Sequence, residues 1–468
     1  MSVTASHPRF GAEIRSSARL AAPLIGGHLA TGLIGFVDAV IAGHHGTDTL
    51  AAVSVGTAMF WLPLMVPMGT LIALPAAVSR HDGAGRGDAI APLFRQALWL
   101  AAALGLAMFA LLSLLPLAMP VMGIAEEIRP GATAFVHGIR WGVPALVLYL
   151  CARYLCDGLH HTVPTLVFGF GGLLVLLPLG YAFTFGVGGL PEMGAGGLGV
   201  ASAIMLWAQC LGAMAYLSRG RRFRPLALFS RFEPPHWPSI RDLLAVGLPI
   251  GLAWLMEGGL FVTTALLIGR LGEMPAAAHQ IAINVSSLCF MVPMALAEAT
   301  TVRVGHAWGR GDRDGLRRAA WAGYVLALGT QTLSAGALLL GHEAIVGLYT
   351  ADLAVAALAA SLLLYAAAFQ FPDGLQVLSM GALRGLQDTR VPLALAALSY
   401  WGIGMPLGAV LGLGLGGLVA PQGPTGMWLG LIAGLSVAAV LLGLRFRWVS
   451  TRTAVGGSAP EGVPDPSP

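Results

Sequence analysis

The sequence predicts an all-α polytopic membrane protein, with twelve transmembrane helices in two pseudo-symmetric six-helix bundles. Three observations carry this prediction. The 468-residue chain is 56% hydrophobic and only 10% charged, where soluble domains carry about 25% charged residues. Apolar runs of roughly 20 residues, the length that crosses a bilayer core, recur along it. The two halves of the chain also match one another in sequence.

The N-terminal stretch MSVTASHPRFGAEIRSSARL is polar and lacks the apolar core of a cleaved signal. The first apolar run follows at about 17–43. Runs at about 50–79, 92–118, 131–154, 163–187 and 195–217 complete a first bundle, residues 1–218. A cytoplasmic linker rich in Arg and Pro follows at 219–240. Runs at about 241–269, 277–305, 316–340, 353–382, 391–415 and 424–446 form a second bundle, residues 241–447. Residues 448–468 read as a disordered cytoplasmic tail, Gly/Pro/Ser-rich from Thr453 onward. The 64 glycines suit such bundles, because small residues let membrane helices approach closely.

The loops alternate in charge. Both termini and the even-numbered loops are basic, with Arg80/Arg86, Arg153, the run Arg219–Arg224, Arg303–Arg318 and Arg384/Arg390. The odd-numbered loops carry Asp48, Glu126/Glu127, Glu192, Glu273 and Glu343. Positive loops stay on the cytoplasmic side, which puts both termini there. The net charge of +4 therefore reports topology, and no nucleic-acid partner is expected.

The repeat has an offset of 226 residues in its first stretch. Pro23 meets Pro249, Val66–Pro67–Met68 meets Val292–Pro293–Met294, and Gly83 meets Gly309. Later the offset is 228: Val163–Pro164 meets Val391–Pro392, Pro178–Leu179–Gly180 meets Pro406–Leu407–Gly408, and Gly188–Gly189–Leu190 meets Gly416–Gly417–Leu418. Six spans per repeat give both halves the same topology. They are then related by an axis along the membrane normal, with a cavity between two bundles.

Three carboxylates interrupt otherwise apolar spans: Asp38 in LIGFVDAVIAG, Glu257 in GLAWLMEGGLF and Asp373 in AFQFPDGLQVL. Charge is costly in hydrocarbon, so such residues face the protein interior and mark ion or substrate paths. Pro372 breaks the helix beside Asp373, and a broken helix with a carboxylate is a cation-site device. Gln280 and Asn284 are candidate neutral ligands, and the same amides also serve as glue between helices. Trp61, Met65, Met256 and Phe261 are candidate pocket walls, since Met-rich surfaces suit promiscuous binders. Glu298, five residues before Arg303, reads as an ion-pair partner near a helix end. The four cysteines and the pairs His44/His45 and His160/His161 lack metal-ligand spacing. No nucleotide-binding or hydrolase motif is present. The chain reads as a transporter without a cofactor and not as an enzyme.

Several of these segments resemble the multidrug and toxic compound extrusion (MATE) family, NorM branch. They are VDAVIAGHHGTDTLAAVSVG, AAAHQIAINVSSLCFMVPMALAEATTVRVGHAWGRGD, and DGLQVLSMGALRGLQDTRVP followed by YWGIGMPLG. The resemblance covers about residues 10–447. It implies a V-shaped pair of six-helix lobes in a bacterial inner membrane, expected to act as a monomer. It implies export of cationic or amphipathic organic compounds in exchange for Na⁺ or H⁺. Glu257 and Asp373 match acidic residues of a C-lobe cation site, and Asp38 matches an N-lobe acid linked to protonation and drug binding. Two departures stand out. Phe369 replaces a Tyr common in the family, and Leu176 and Gly180 replace asparagines near Asp38. A flippase for lipid-linked precursors, a membrane-embedded enzyme and a channel are the alternative readings. A flippase calls for a basic cavity, and an enzyme for a compact catalytic group.

Overall fold

The structure, a computed structural model, describes residues 10–414 and 419–452. Among these residues twelve helices are long and apolar enough to cross a membrane. They are α1 (Phe10–His45), α2 (Thr47–Gly83), α3 (Gly87–Ala118), α4 (Arg129–Gly158), α5 (Val163–Phe185) and α6 (Gly194–Arg219), then α7 (Trp237–Gly269), α8 (Glu273–Gly309), α9 (Arg313–Gly347), α10 (Leu353–Gly385), α11 (Arg390–Leu413) and α12 (Pro424–Arg452). Each overlaps its expected apolar run, and most extend past it. Amphipathic ends such as Phe10–Ser16 continue the helix beyond the apolar stretch, where water can satisfy the last backbone groups.

Part of the expected tail is helical, and the linker is packed against the first half. Residues 448–452 are helical and end α12; the remainder of the expected tail, 453–468, lies outside the described residues. So does the last repeat match, Gly416–Gly417–Leu418. Between α6 and α7, residues 220–236 are fastened to α3. Arg95 donates to the carbonyls of Ala227 and Leu228 and pairs with Glu233. Gln96 bonds Pro234 and His236, and the Trp99 indole donates to Glu233. Phe223 and Leu228 are buried. A segment whose polar backbone meets so many partners is a built strap.

Tight apolar packing holds each half together. One core cluster gathers first-half residues from Ile41 onward and takes in Leu243 and Ile250 of α7, and a second gathers residues from Leu260 to Phe446. A third also bridges the halves, with Leu20 and Leu24 of α1 against Leu296, Val302 and Leu378. Where α2 crosses α8, a Cβ added to Gly83 would lie 2.1 Å from the His306 carbonyl oxygen. One added to Gly309 would lie 2.0 Å from that of Arg80. With the 226-residue offset, Gly83 and Arg80 correspond to Gly309 and His306. Residue i of one half therefore meets residue j of the other, and j meets i. That reciprocity is the signature of a two-fold relation, and only glycine permits the approach.

Candidate functional site

A cavity of about 350 Å³ opens between α2 of the first half and α7, α8 and α10 of the second. Glu257 enters it from α7 and Asp373 from α10. Trp61, Met65 and Met68 supply the α2 wall, and Trp254, Phe261 and Phe369 face them. The floor on α8 includes Ser286, Ser287, Phe290 and Met294. Its lining contains no arginine.

The carboxylates are held by neutral donors. Gln376 donates its amide to Glu257 Oε1 at 2.7 Å, and the Tyr400 hydroxyl donates to Gln376 Oε1 at 2.7 Å. Glu257 and Asp373 lie close enough for their charges to interact, and Tyr400 lies within reach of both. Asp373 is 3% exposed. No arginine or histidine pairs with either carboxylate among the described residues. Two neighbouring acids in a low-dielectric site repel unless a proton or a cation offsets one charge.

Local sequence explains how these groups arrive. Pro372 sits inside α10 just before Asp373. Its ring removes one N–H and crowds the preceding turn. Gln331 of α9 reaches the Gln370 carbonyl there, at 2.7 Å. In α11 residues Leu398–Gly404 form a π-turn, a feature often found at functional sites. It carries Tyr400 toward Gln376 and Trp401 toward the Met256 carbonyl, 3.1 Å away. Phe369, which lacks a hydroxyl, packs edge-on between Phe261 and the buried Trp428, with ring centroids 6.1 and 5.7 Å away. A hydroxyl reaches the carboxylate network from Tyr400 instead, through Gln376.

The other sequence candidates lie elsewhere. Asp38 is buried in the first half, 7% exposed, and its Oδ1 has no hydrogen-bond partner. An added Cβ at Gly180 would touch Ile41 and Leu198. Gln280 and Asn284 are exposed on α8 outside the cavity lining, and Asn284 accepts a bond from the Tyr349 hydroxyl at 2.8 Å. Met256 contributes its backbone to Trp401 and does not line the cavity. Sequence reasoning missed Gln376, Tyr400 and Trp254, and the α8 wall of Ser286, Ser287, Phe290 and Met294. Gln376 carried a signal, as a polar residue one turn after Asp373. Tyr400 carried none.

Below the cavity, toward the chain termini, the halves are joined by ion pairs. Glu298 accepts from Arg153 at 3.0 Å and meets His28 at 3.3 Å. Arg153 also faces Asp157 at 3.4 Å. Arg303 bonds Glu13 and Ser17, not Glu298. Arg384, 2% exposed, lies over Trp254 and lines a small void with Glu298, Tyr154 and Asp157. Arg153 and Arg384 thus belong to the bundle interior, although the charge pattern assigns them to loops. Nearer the end, Arg80 stacks on Trp308 and donates to Gln387 at 3.0 Å, and His306 meets Asp82 at 3.5 Å. Among the described residues, the ion pairs between halves all lie on this side of the cavity.

Comparison with known proteins fits this arrangement. A family model described as MatE matches twice, at residues 23–182 and 249–410, so that the two matches begin 226 and end 228 residues apart. A relative from Xanthomonas campestris pv. campestris, named "Probable multidrug resistance protein NorM", is 63% identical over 96% of this chain and 97% of its own. "Multidrug resistance protein PmpM" of Pseudomonas aeruginosa is 44% identical over 93% of this chain and 92% of its own. A solved structure titled as the outward-facing conformation of a multidrug resistance MATE family transporter superposes with a TM-score of 0.85. It is 20% identical, over 94% of this chain and 96% of that one, and shares the fold.

Proposed function

The chain belongs to the MatE family, and on that premise we propose that it is a multidrug efflux antiporter of a bacterial inner membrane. It exports cationic and amphipathic organic compounds in exchange for H⁺ or Na⁺. The observation that carries this reading is the cavity itself. Aromatic and Met side chains give it adaptable apolar walls, and its two carboxylates have no basic partner among the described residues. Such a site takes either an organic cation or the coupling ion. Competition between the two for Glu257 and Asp373 couples their movements, because each ligand must favour a different state of the protein.

Arg-rich loops flank the end where the ion pairs join the halves, so that end is assigned to the cytoplasm. The structure then represents a state closed to the cytoplasm. A flippase reading is disfavoured by a lining without arginine, since phosphates call for basic donors. Asp38, apart from the two cavity carboxylates and with an Oδ1 that has no hydrogen-bond partner, is assigned to proton uptake and not to Na⁺ binding, because a Na⁺ cage needs several oxygens.

Drug efflux from proteoliposomes under separately imposed Na⁺ and H⁺ gradients tests the reading. At least one gradient is expected to drive transport, and failure of both refutes antiport. Asp38→Asn is expected to flatten the pH dependence of efflux while leaving cation-driven drug displacement intact. Loss of Na⁺ binding with an unchanged pH profile would overturn that assignment.

A further inference from the structure

A second cavity, about 810 Å³, lies on the outer face of the second half. It is a groove between α9 and α12, floored by α10 at Leu375 and Ser379. At the end nearest the chain termini stand Arg317 and Arg447. Both are exposed, and no carboxylate pairs with either among the described residues. Trp321, Tyr324 and Phe446 follow as an aromatic wall, with Tyr324 fixed by a 2.7 Å bond to Ser379. Deeper in, Leu328 and Val440 line the groove. Leu328 is eleven residues beyond Arg317, about 16 Å along the helix.

The first half treats the equivalent place differently. By the 226-residue offset, Trp321 corresponds to Arg95 and Arg317 to Ala91. There the strap between α6 and α7 covers α3, with Phe229 on Phe94 and Phe232 on Trp99. Among the described residues the second half has none of those hooks, and Trp321, Leu328 and Val440 of its groove are exposed. The segment after α12, TAVGGSAPEGVPDPSP, lacks the large apolar side chains that fill the first.

We propose that this groove binds one anionic phospholipid, its phosphate held by Arg317 and Arg447 and its acyl chains lying along Leu328, Leu375 and Val440. Basic clusters beside the headgroup layer attract anionic lipids, and interfacial Trp and Tyr anchor at the same level. The inference rests on the chain spanning a membrane, and it stands or falls separately from the efflux reading.

Native mass spectrometry of the full chain tests it, after exchange into mixed phosphatidylglycerol and phosphatidylcholine. Wild type is expected to retain one phosphatidylglycerol. The variant Arg317→Gln/Arg447→Gln should retain it about 30-fold less, from two lost basic contacts. Gly443→Phe keeps both arginines and fills the apolar half, since a Cβ there meets nothing within 4 Å; it should lose the lipid too. Millimolar inorganic phosphate should not displace it. Equal retention of the two lipids, an unaffected arginine variant, or displacement by phosphate would overturn the proposal. So would binding that emerges only when residues 453–468 are removed, because the chain's own end would then be the occupant.

Discussion

Two glutamates occupy the interior of the second half, 41 residues apart in sequence, and they are held in opposite ways. Glu298 receives a guanidinium from Arg153 and an imidazole from His28. Glu257 receives, among the described residues, the neutral amide of Gln376 and no cation. Each is an acid in a low-dielectric setting, where an uncompensated charge is expensive. Glu298 has its compensation built in, and the partner belongs to the other half, so the pair is a clasp. Glu257, with Asp373 beside it, leaves its compensation to whatever enters the cavity. A buried acid is therefore not a site by itself. Its meaning lies in whether the protein already supplies the counter-charge.

The strongest way to break the comparison is to remove the charge from the cavity. Glu257→Gln and Asp373→Asn keep shape and lose the negative charge, so each should abolish gradient-driven efflux. Folding should be unchanged or improved, since no protein cation is left unpaired. Efflux assays beside thermal unfolding in detergent check both halves of the statement, and wild-type transport in both variants would refute it.

Removing Arg153 should give the converse. Arg153→Met leaves Glu298 with His28 and Asp157 with the Thr165 hydroxyl, and breaking a buried pair on one side costs up to about 3–5 kcal/mol. A lowered unfolding midpoint is expected, together with easier opening at the ion-paired end, read as faster labelling of a cysteine placed there. An unchanged midpoint would mean that His28 or Arg384 takes over the compensation.

A pH test addresses the same closed end. His160 lies in the loop between α4 and α5, its ring 4.8 Å from that of His306. Burial, then the nearby His306 and Arg303, push its pKa down from 6.5 to about 4. The unfolded chain therefore takes up a proton below pH 6.5 that the folded chain refuses. Stability from this group is complete above pH 6.5 and declines as pH falls toward 4. His160→Asn should flatten that part of the stability profile, and Asn tolerates the local φ of 58°. An identical slope in wild type and variant would exclude His160 as the source.

The smallest effect is expected at Tyr400. Tyr400→Phe removes the hydroxyl that orients Gln376 and should weaken cation-dependent drug displacement several-fold. One neutral hydrogen bond contributes about 1 kcal/mol. Binding titrations against the coupling ion measure it, and an unaltered affinity would show that Gln376 holds Glu257 without help.

The sequence alone determined the twelve helices, because bilayer thickness sets one length for every span and hydropathy reads it directly. It determined the two-fold repeat, since prolines and glycines recur at fixed offsets and the reciprocal Gly83/Gly309 crossing needs both glycines. It also singled out Asp38, Glu257 and Asp373, because charge stands out against an apolar background. Only the tertiary structure decided which acids share a cavity. Glu257 and Asp373 are 116 residues apart, and the fold brings α7 and α10 to one cavity, where Gln376 of α10 bonds Glu257. It likewise removed Gln280 and Asn284 from the site, since their helix turns that face away, and it brought in Tyr400 through a π-turn that no residue pattern marks. It turned Arg153 and Arg384 from loop charges into interior ones, because the partner for a charge at a helix end is set by the neighbouring helix. Length and polarity are local properties that each segment carries alone, whereas a counter-charge is supplied across space, by another part of the chain.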